Sequence, residues 1–155
     1  MRRSDREITD ISRILEVIAQ CQVCRLAIPA DPVPYILPLN FGVLARDQAL
    51  DLVFHGALEG TKYQLIQSAG KASFEMYCGH TLHSDVQRGY CTMSFASVIG
   101  SGPLSIIHDE ASKAQALQAL CDHYHPQGFT YNPAAISRTK VFKLTVETMT
   151  CKVKE

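Results

Sequence analysis

A short stretch in the first half of the chain combines residue types that bind phosphate. Phe54 to Lys62 reads F-H-G-A-L-E-G-T-K, with two glycines, a histidine, a hydroxyl group and an ammonium group. A nucleoside-triphosphate loop requires the spacing G-x-x-x-x-G-K-[ST], in which backbone N–H groups surround the phosphates and the lysine reaches the terminal pair. Here the glycines are one residue too close and threonine precedes lysine. The stretch is therefore not a triphosphate loop, and the chain has no G-x-G-x-x-G dinucleotide motif either.

The same residues can still hold a single phosphate group. Gly60 lets the backbone approach a ligand closely at a point where a helix is predicted to begin, and the free N–H groups there favour an anion. Thr61 can donate a hydroxyl hydrogen bond, and Lys62 supplies a full positive charge. Charge-assisted bonds of this kind contribute about 1.5–3 kcal/mol each. The alternative is an ordinary strand-to-helix turn with a solvated lysine, and the stretch alone leaves both interpretations open.

The elements that must position these residues follow from the periodicity of the apolar residues. Three helices are predicted, over residues 10–20, 60–69 and 109–124, with Thr9 and Asp109 as N-caps and Gly70 as a C-cap. Six strands are predicted, over residues 23–29, 35–42, 49–55, 71–78, 92–107 and 139–149, with a glycine-mediated bend at 100–102. Hairpin connections with helices at the margins indicate a mainly β fold, a six-stranded antiparallel barrel.

The strand that leads into the phosphate-binding stretch alternates in character. Leu50, Leu52 and Phe54 share one face, and Asp51, Val53 and His55 share the other. His55 is the last residue of this predicted strand.

The composition describes an ordinary globular protein. A length of 155 residues predicts a single domain over 1–155, and 46% hydrophobic with 19% charged residues leaves apolar surface that a subunit interface can bury. Fifteen basic and fifteen acidic residues give no net charge, which argues against a nucleic-acid partner or a polybasic membrane surface. No apolar run approaches a membrane span, and no secretory signal opens the chain. These features favour the cytoplasm.

The six cysteines stand mostly among apolar neighbours, which predicts buried, reduced thiols rather than disulfides. Cys78, His80 and His83 are close enough in sequence for a metal site, to which Cys21 and Cys24 could add ligands. The spacing matches no known zinc motif, so histidines in an exposed loop and no metal are predicted. Cys21 and Cys24 also lack the βαβ context of a redox dithiol. No G-x-S-x-G sequence supports serine hydrolysis.

Several stretches taken in order resemble one protein family. They are C-R-L-A, P-Y-I-L-P-L-N-F-G, L-V-F-H-G-A-L-E-G-T-K, S-F-E-M and S-V-I-G-S-G. Together they resemble the flavin-nucleotide-binding split barrels related to pyridoxamine 5′-phosphate oxidase, and most of all the branch that contains the nitroimidazole-resistance proteins. The opening R-R-S-D-R-E-I-T-D is similar to the N-terminus of that branch. The resemblance extends over residues 1–149.

The resemblance implies a homodimer of split barrels that holds FMN, or alternatively FAD, between its subunits. The residues implied along the flavin ring are Leu39, Asn40 and Phe41. The residues implied around the phosphate are His55, Ala57, Gly60, Thr61 and Lys62. The strand implied to pass near the cofactor contains Ser97, Val98, Ile99 and Gly100.

The resemblance also implies an activity. His55 would stand beside the flavin ring as a proton donor, since histidine titrates near neutral pH; the alternative is a histidine that bonds a backbone carbonyl. The expected function is an FMN-dependent oxidoreductase with a small-molecule electron acceptor, in its sharpest form a nitro-aromatic reductase. The alternative is a flavin- or haem-binding module without turnover, which serves storage or sensing.

Overall fold

The computed structural model describes residues 4–46 and 49–155. A 3₁₀ turn at Ser4–Arg6 precedes the first strand. The helices are α1 (Ile11–Gln20), α2 (Thr61–Ala69), α3 (Glu110–Tyr124) and α4 (Ala135–Arg138). The strands are β1 (Glu7–Ile8), β2 (Cys24–Ile28), β3 (Tyr35–Leu39), β4 (Gly42–Arg46), β5 (Ala49–Gly56), β6 (Lys71–Asp85), β7 (Tyr90–Ile107), β8 (Lys140–Thr145) and β9 (Thr148–Lys154).

All strand pairings are antiparallel, in the order β3-β2-β6-β7-β8-β5-β4, with β9 beside both β7 and β1. Strands β3 and β4 stand at opposite ends of this order, yet only Asn40 and Phe41 separate them in the chain. The sheet must therefore curl until its two ends are neighbours. The predicted mainly β barrel with flanking helices is confirmed.

The predicted number of six strands is wrong, because the described residues contain nine. The segment predicted as one strand over 139–149 is two strands, β8 and β9, separated by a turn at Val146–Glu147. The segment over 35–42 is interrupted at Asn40–Phe41, after which β4 begins. The two-residue β1 was also missed. Breaks of one or two residues leave the hydrophobic pattern nearly unchanged, so the pattern does not reveal them.

The predicted loop that carries the histidines is a hairpin arm, formed by the outer halves of β6 and β7. The two strands stay paired from Cys78 and Ala96 out to Asp85 and Tyr90, with an irregularity between Cys78 and Thr81. His80 and His83 therefore lie on a strand and not in a loop. Glycine-mediated bending at 100–102 corresponds to the place where β7 leaves its partner β9 and joins β8.

The hydrophobic core has two parts. The larger part fills the barrel and includes Phe54, Phe74 and Phe142, each no more than 1% exposed. The smaller part lies between α3 and the outer face of β5 and β8, around Val53 and Val141. Residues 50–54 are consequently buried on both faces of β5. Helix α3 covers the outer face of β5, and the alternation of residues along the strand does not predict this contact.

The helix ends follow the expected chemistry with one difference. Asp109 caps α3, because its carboxylate accepts a 2.8 Å hydrogen bond from the Ser112 N–H. Gly70 ends α2 in the left-handed conformation, as predicted. The predicted cap at Thr9 is wrong: Asp10 caps α1 and accepts from the Arg13 N–H at 2.9 Å. Either residue type can cap a helix, and the helix begins one residue later than predicted.

Candidate functional site

The phosphate-binding stretch folds into a corner where three elements meet. Strand β5 ends at His55 and Gly56, the chain turns through residues 57–60, and α2 begins at Thr61. Strand β8 starts beside β5, so that Lys140 lies opposite Gly56 and Val141 opposite His55. We call this group of residues, His55–Tyr63 with Lys140, the cationic corner.

Tyr63 is the centre of the cationic corner. Its side chain is buried, and its hydroxyl group donates a 2.6 Å hydrogen bond to the carbonyl oxygen of Ala57. The Nζ atom of Lys62 lies 4.7 Å from the centre of the Tyr63 ring, and the Nζ atom of Lys140 lies 4.4 Å from it. Burial raises the pKa of Tyr63, so the phenol keeps its proton. One aromatic ring thus gathers two ammonium groups from distant parts of the chain.

Glycine is required at two positions of the corner. A Cβ atom on Gly56 would lie 2.8 Å from Cε of Lys62 and 2.8 Å from the hydroxyl oxygen of Tyr63, so any other residue would displace them. Gly60 has φ 144° and ψ 154°, a conformation that residues with a side chain rarely adopt. No side chain caps α2. The Tyr63 N–H donates to the Gly60 carbonyl at 3.1 Å, and no side chain of the described residues accepts from the other N–H groups at the start of the helix.

The two lysines are not neutralised within the protomer. In the ranges 4–46 and 49–155, neither Lys62 nor Lys140 forms an ion pair with a carboxylate. The ring of Tyr63 offers them only the weak attraction of its π face. Two positive charges beside an uncapped helix N-terminus make the corner electrostatically suited to an anion.

His55 stands at the edge of the corner and is exposed. Desolvation lowers the pKa of its imidazole, and the charge of Lys62 lowers it further. The imidazole is therefore uncharged at neutral pH. Its ring nitrogens form no hydrogen bond within the part of the chain that the structure describes, so the alternative of a carbonyl-bonded histidine finds no support. An unprotonated, exposed imidazole is free to accept a proton or to bind a ligand.

The residues expected along the flavin ring lie between β3 and β4. Leu39 is half-buried and Asn40 is exposed. Phe41 is fully buried: its ring packs 4.3 Å from the ring of His123, and its backbone N–H donates a 3.2 Å hydrogen bond to the hydroxyl of Tyr124. Contact of the Phe41 ring with a surface ligand would need repacking of this core, whereas Leu39 and Asn40 are accessible.

The segment Ser97–Gly100 lies on the part of β7 that pairs with β6 and β9 and not with the strands of the cationic corner. Val98 and Gly100 are buried, and Ile99 is 53% exposed. Strand β7 pairs with β8 only over Leu104–Ile107, where Ile107 lies opposite Val141. The protomer therefore brings His55, Gly60, Thr61 and Lys62 together, whereas Ser97–Gly100 belong to another part of the sheet.

Three residues of the corner were missed by sequence reasoning. Tyr63 follows the lysine directly, and its place on the buried face of a predicted helix could have singled it out. Gly56 was considered only for its distance from Gly60 in the comparison with the triphosphate loop. Lys140 carries no motif, and only the register of β5 against β8 reveals it.

One structural result bears on the metal-site hypothesis, and another bears on whether a helix could cross a membrane. Over residues 4–46 and 49–155, no group of three or more histidine, cysteine, aspartate or glutamate side chains is arranged to hold a metal ion. Within the same ranges, none of the helices has both the length and the apolarity that crossing a bilayer requires.

Comparison with known proteins identifies a family and several structures to which this chain is similar. The family model described as pyridoxamine 5′-phosphate oxidase matches residues 10–153. A candidate 5-nitroimidazole antibiotic resistance protein from Bacteroides thetaiotaomicron VPI-5482 is 30% identical, with a TM-score of 0.78; the match covers 95% of this chain and 86% of that one. No curated protein sequence matches the chain.

Two more distant structures share the fold. The flavocytochrome Anf3 from Azotobacter vinelandii has a TM-score of 0.77 at 19% identity, over 100% of this chain and 72% of that one. The FAD and heme binding protein from Mycobacterium smegmatis has a TM-score of 0.77 at 18% identity, over 97% and 74%.

Proposed function

The chain belongs to the pyridoxamine 5′-phosphate oxidase family, and from this we propose that it is a flavin-binding oxidoreductase whose cationic corner holds the phosphate of FMN. The observation that carries the proposal is the pair of unneutralised ammonium groups of Lys62 and Lys140 on the ring of Tyr63. A ligand phosphate would supply the ion-pair partner that neither lysine has within the described residues.

Each part of the corner has a distinct task in this proposal. Lys62 and Lys140 give charge-assisted hydrogen bonds to the phosphate oxygens. Thr61 adds a hydroxyl donor, and the first turn of α2 adds backbone N–H groups. Gly56 leaves the room in which Lys62 and Tyr63 lie, and the Tyr63–Ala57 hydrogen bond fixes the turn. The residues present therefore fit a phosphate monoester.

The similar proteins favour a flavin over other phosphate-bearing ligands. Among the fold relatives are proteins described as binding FAD, or FAD together with haem. The relative with 30% identity is described as a candidate nitroimidazole antibiotic resistance protein. The same two lysines could equally receive one phosphate of FAD, so the released chromophore must decide between FMN and FAD.

The flavin ring also needs contacts beyond the cationic corner. We place Leu39 and Asn40 along the ring, and Ser97 and Ile99 against the cofactor from a second subunit, since Ser97 and Ile99 lie where β7 pairs with β6 and β9 and not with the strands of the corner. The hairpin arm supports a homodimer because it presents exposed apolar side chains, with Leu82 directly opposite Met93. Their burial against a second copy would be favourable.

When bound, the isoalloxazine supplies the electron transfer, and the chain supplies binding, orientation and proton movement. His55 is the residue that can move a proton beside the ring. Its lowered pKa makes it a proton acceptor in the free protein. A bound phosphate would offset the charge of Lys62 and raise the pKa of His55 again, which favours the donor role. The proposed acceptor is a small molecule, in the sharpest version a nitro-aromatic compound.

A second candidate function uses the same residue differently. His55 is exposed, uncharged and free of hydrogen bonds within the described ranges, which is the form that binds haem iron. A flavin- or haem-binding module without turnover, serving storage or sensing, is therefore the alternative. It differs from the first in having no reaction with an electron acceptor.

The test begins with the visible absorbance spectrum of freshly purified protein, followed by denaturation and identification of the released chromophore. FMN is expected, with bleaching by a reduced nicotinamide and recovery on addition of a nitro-aromatic compound. His55→Ala should retain FMN and lose most of the recovery rate, with His125→Ala as the matched control. A haem Soret band, or flavin that no acceptor reoxidises, would favour the module. A colourless protein that also ignores added FMN and FAD would contradict both proposals.

A further inference from the structure

Two cysteine thiols from distant parts of the chain meet at one carbonyl oxygen. The Sγ atom of Cys21, at the end of α1, donates to the Val17 oxygen at 3.3 Å. The Sγ atom of Cys78, on β6, donates to the same oxygen at 3.7 Å. Burial raises the pKa of Cys21, and the nearby Cys78 raises it further. They are therefore neighbours in space although no sequence motif joins them.

The two thiols differ in access to solvent. Cys21 is fully buried. Cys78 is partly exposed and lines a cleft of about 320 Å³, together with Arg25, Tyr77 and His80. The cleft therefore extends to Cys78 and does not extend to Cys21. One thiol is thus placed to react first and the other to react second.

The backbone on both sides permits a small approach of the sulfurs. Cys21 follows the last residue of α1 and already has an extended conformation. Cys78 is the last regularly paired residue before the irregularity of β6, and Gly79 follows it with a φ of 62°. Irregular points of this kind absorb local movement without breaking the neighbouring strand pairs.

We propose that Cys78 and Cys21 form a reversible thiol–disulfide exchange site whose co-substrate is a small-molecule disulfide. The thiolate of Cys78 attacks one sulfur of the disulfide RSSR, forming a mixed disulfide and releasing one RSH after protonation. The thiolate of Cys21 then attacks Sγ of Cys78 and displaces the second RSH. The protein dithiol loses two electrons and two protons, and RSSR gains them. Excess thiol reverses both steps.

The environment of the two sulfurs agrees with this order of events. Burial raises the pKa of Cys21, and the neighbouring Cys78 raises it further, so Cys21 is not the first thiol to react. Once Cys78 is in a mixed disulfide it carries no charge, and its contribution to the raised pKa of Cys21 is removed. The guanidinium group of Arg25 lies in the wall of the cleft, 5.3 Å from the ring of Tyr77 and paired with Glu75 at 3.2 Å.

Two other thiols are possible competitors. Cys24 belongs to the same C-x-x-C sequence as Cys21. Burial raises the pKa of Cys151, and Cys78 lies close enough to raise it further. Both are fully buried, and burial raises the pKa of Cys24 to about 12. Neither lines the cleft of Cys78. Cys91 is exposed on the hairpin arm and serves as the reference for an unassisted surface thiol.

The test uses the full chain with the single substitution Cys91→Ser, equilibrated with an excess of oxidised glutathione, quenched by alkylation and digested for mass spectrometry. We expect the Cys21–Cys78 disulfide as the main product, a loss of two alkylatable thiols per chain, and recovery of both with excess reduced glutathione. Cys21→Ser should stop at the glutathione adduct of Cys78.

Several results would overturn the proposal. If a Cys21–Cys24 or Cys78–Cys151 disulfide is the main product, the proposal has named the wrong pair of cysteines. A folded Cys91→Ser protein that keeps both Cys21 and Cys78 alkylatable would exclude the exchange, provided that Cys91 of the unsubstituted chain is fully modified under the same conditions. Because the main readout needs neither Cys21 nor Cys78 to be replaced, a folding failure of Cys21→Ser does not affect it.

Discussion

Strand β8 carries two lysines with opposite surroundings. Lys143 donates a 2.8 Å hydrogen bond to Asp51, whose carboxylate is 3% exposed and also accepts from the Thr145 hydroxyl at 2.5 Å. Lys140, at the start of the same strand, forms no ion pair with any of the residues 4–46 and 49–155, and its ammonium group lies over the ring of Tyr63, which it shares with Lys62. The first lysine is neutralised by the protein and maintains the fold. The second is the one that we propose to bind the ligand phosphate.

Structural and ligand-binding lysines in this barrel can be distinguished by what lies beside them. A lysine that holds the fold has a buried, fully bonded counter-charge. A lysine that serves a ligand has a neighbour that orients it without neutralising it. Variants of the two sites should therefore affect different properties of the protein.

The Asp51–Lys143 pair should matter for stability and not for the ligand. Asp51→Ala should lower the free energy of unfolding by about 3 kcal/mol, because it leaves the partly exposed Lys143 without its counter-charge. Urea unfolding measures this loss. The double variant Asp51→Ala/Lys143→Met should recover part of it, because no unpaired charge remains. If Lys62→Ala or Lys140→Ala costs as much stability as Asp51→Ala, the contrast between the two lysines is wrong.

Crowding the cationic corner should harm the ligand site more than the fold. Gly56→Ala puts a Cβ atom 2.8 Å from Cε of Lys62 and from the hydroxyl of Tyr63, so both must move. We expect a loss of about 1–2 kcal/mol in stability and roughly a tenfold weaker FMN affinity.

Gly70→Ala is the matched control for Gly56→Ala. It lies at a φ of 62° with no atom within 4 Å of an added Cβ, and it stands at the far end of α2. It should lower stability through backbone strain and leave FMN affinity unchanged. Equal weakening of FMN binding by both variants would mean that the corner responds only to general destabilisation.

The smallest effect concerns the titration of His55. Its imidazole resonances should titrate below the usual value for histidine in the ligand-free protein, because desolvation and the charge of Lys62 lower the pKa. Addition of inorganic phosphate should raise this pKa, and Lys62→Ala should raise it without phosphate. Loss of the signal in His55→Gln assigns it. If phosphate leaves the pKa of His55 unchanged, His55 does not lie close to the anion site.

The lowered pKa of His55 also determines how the free energy of unfolding changes with pH. Because the pKa of His55 is lower in the folded protein than in the unfolded chain, the unfolded chain binds more protons between the two values. The contribution of His55 therefore reduces the free energy of unfolding as the pH falls through this window. A bound anion should weaken that dependence, which unfolding experiments with and without phosphate can measure.

Much of the fold and part of the site could be predicted from the sequence. Helix α2 and strand β5 follow from local periodicity, and the motif between them gave Gly60, Thr61 and Lys62 as neighbours. Lys140 could not be found in this way, because it reaches the corner through the pairing of β5 with β8, and periodicity does not specify which strands pair.

The burial of residues such as Phe41 also lay beyond the sequence. Phe41 was expected along the flavin ring with Leu39 and Asn40, and its place under His123 depends on how α3 packs against β4. Two residues, Asn40 and Phe41, separate β3 from β4, and at this break the side chain of Phe41 points into the core. Pattern reasoning predicts which residues are apolar, but tertiary packing decides which of them face a ligand.

The most direct test of the account is a comparison of FMN and riboflavin affinities, which differ only in the phosphate. Dissociation constants would be measured for the ligand-free protein, for Lys62→Ala and Lys140→Ala, and for the exposed control Lys71→Ala. Each corner variant should weaken FMN binding about 10- to 100-fold, as expected for the loss of a charge-assisted bond, and change riboflavin binding less than about twofold. Lys71→Ala should change neither. Equal losses for FMN and riboflavin, or no loss for either corner variant, would contradict the claim that these lysines hold the phosphate.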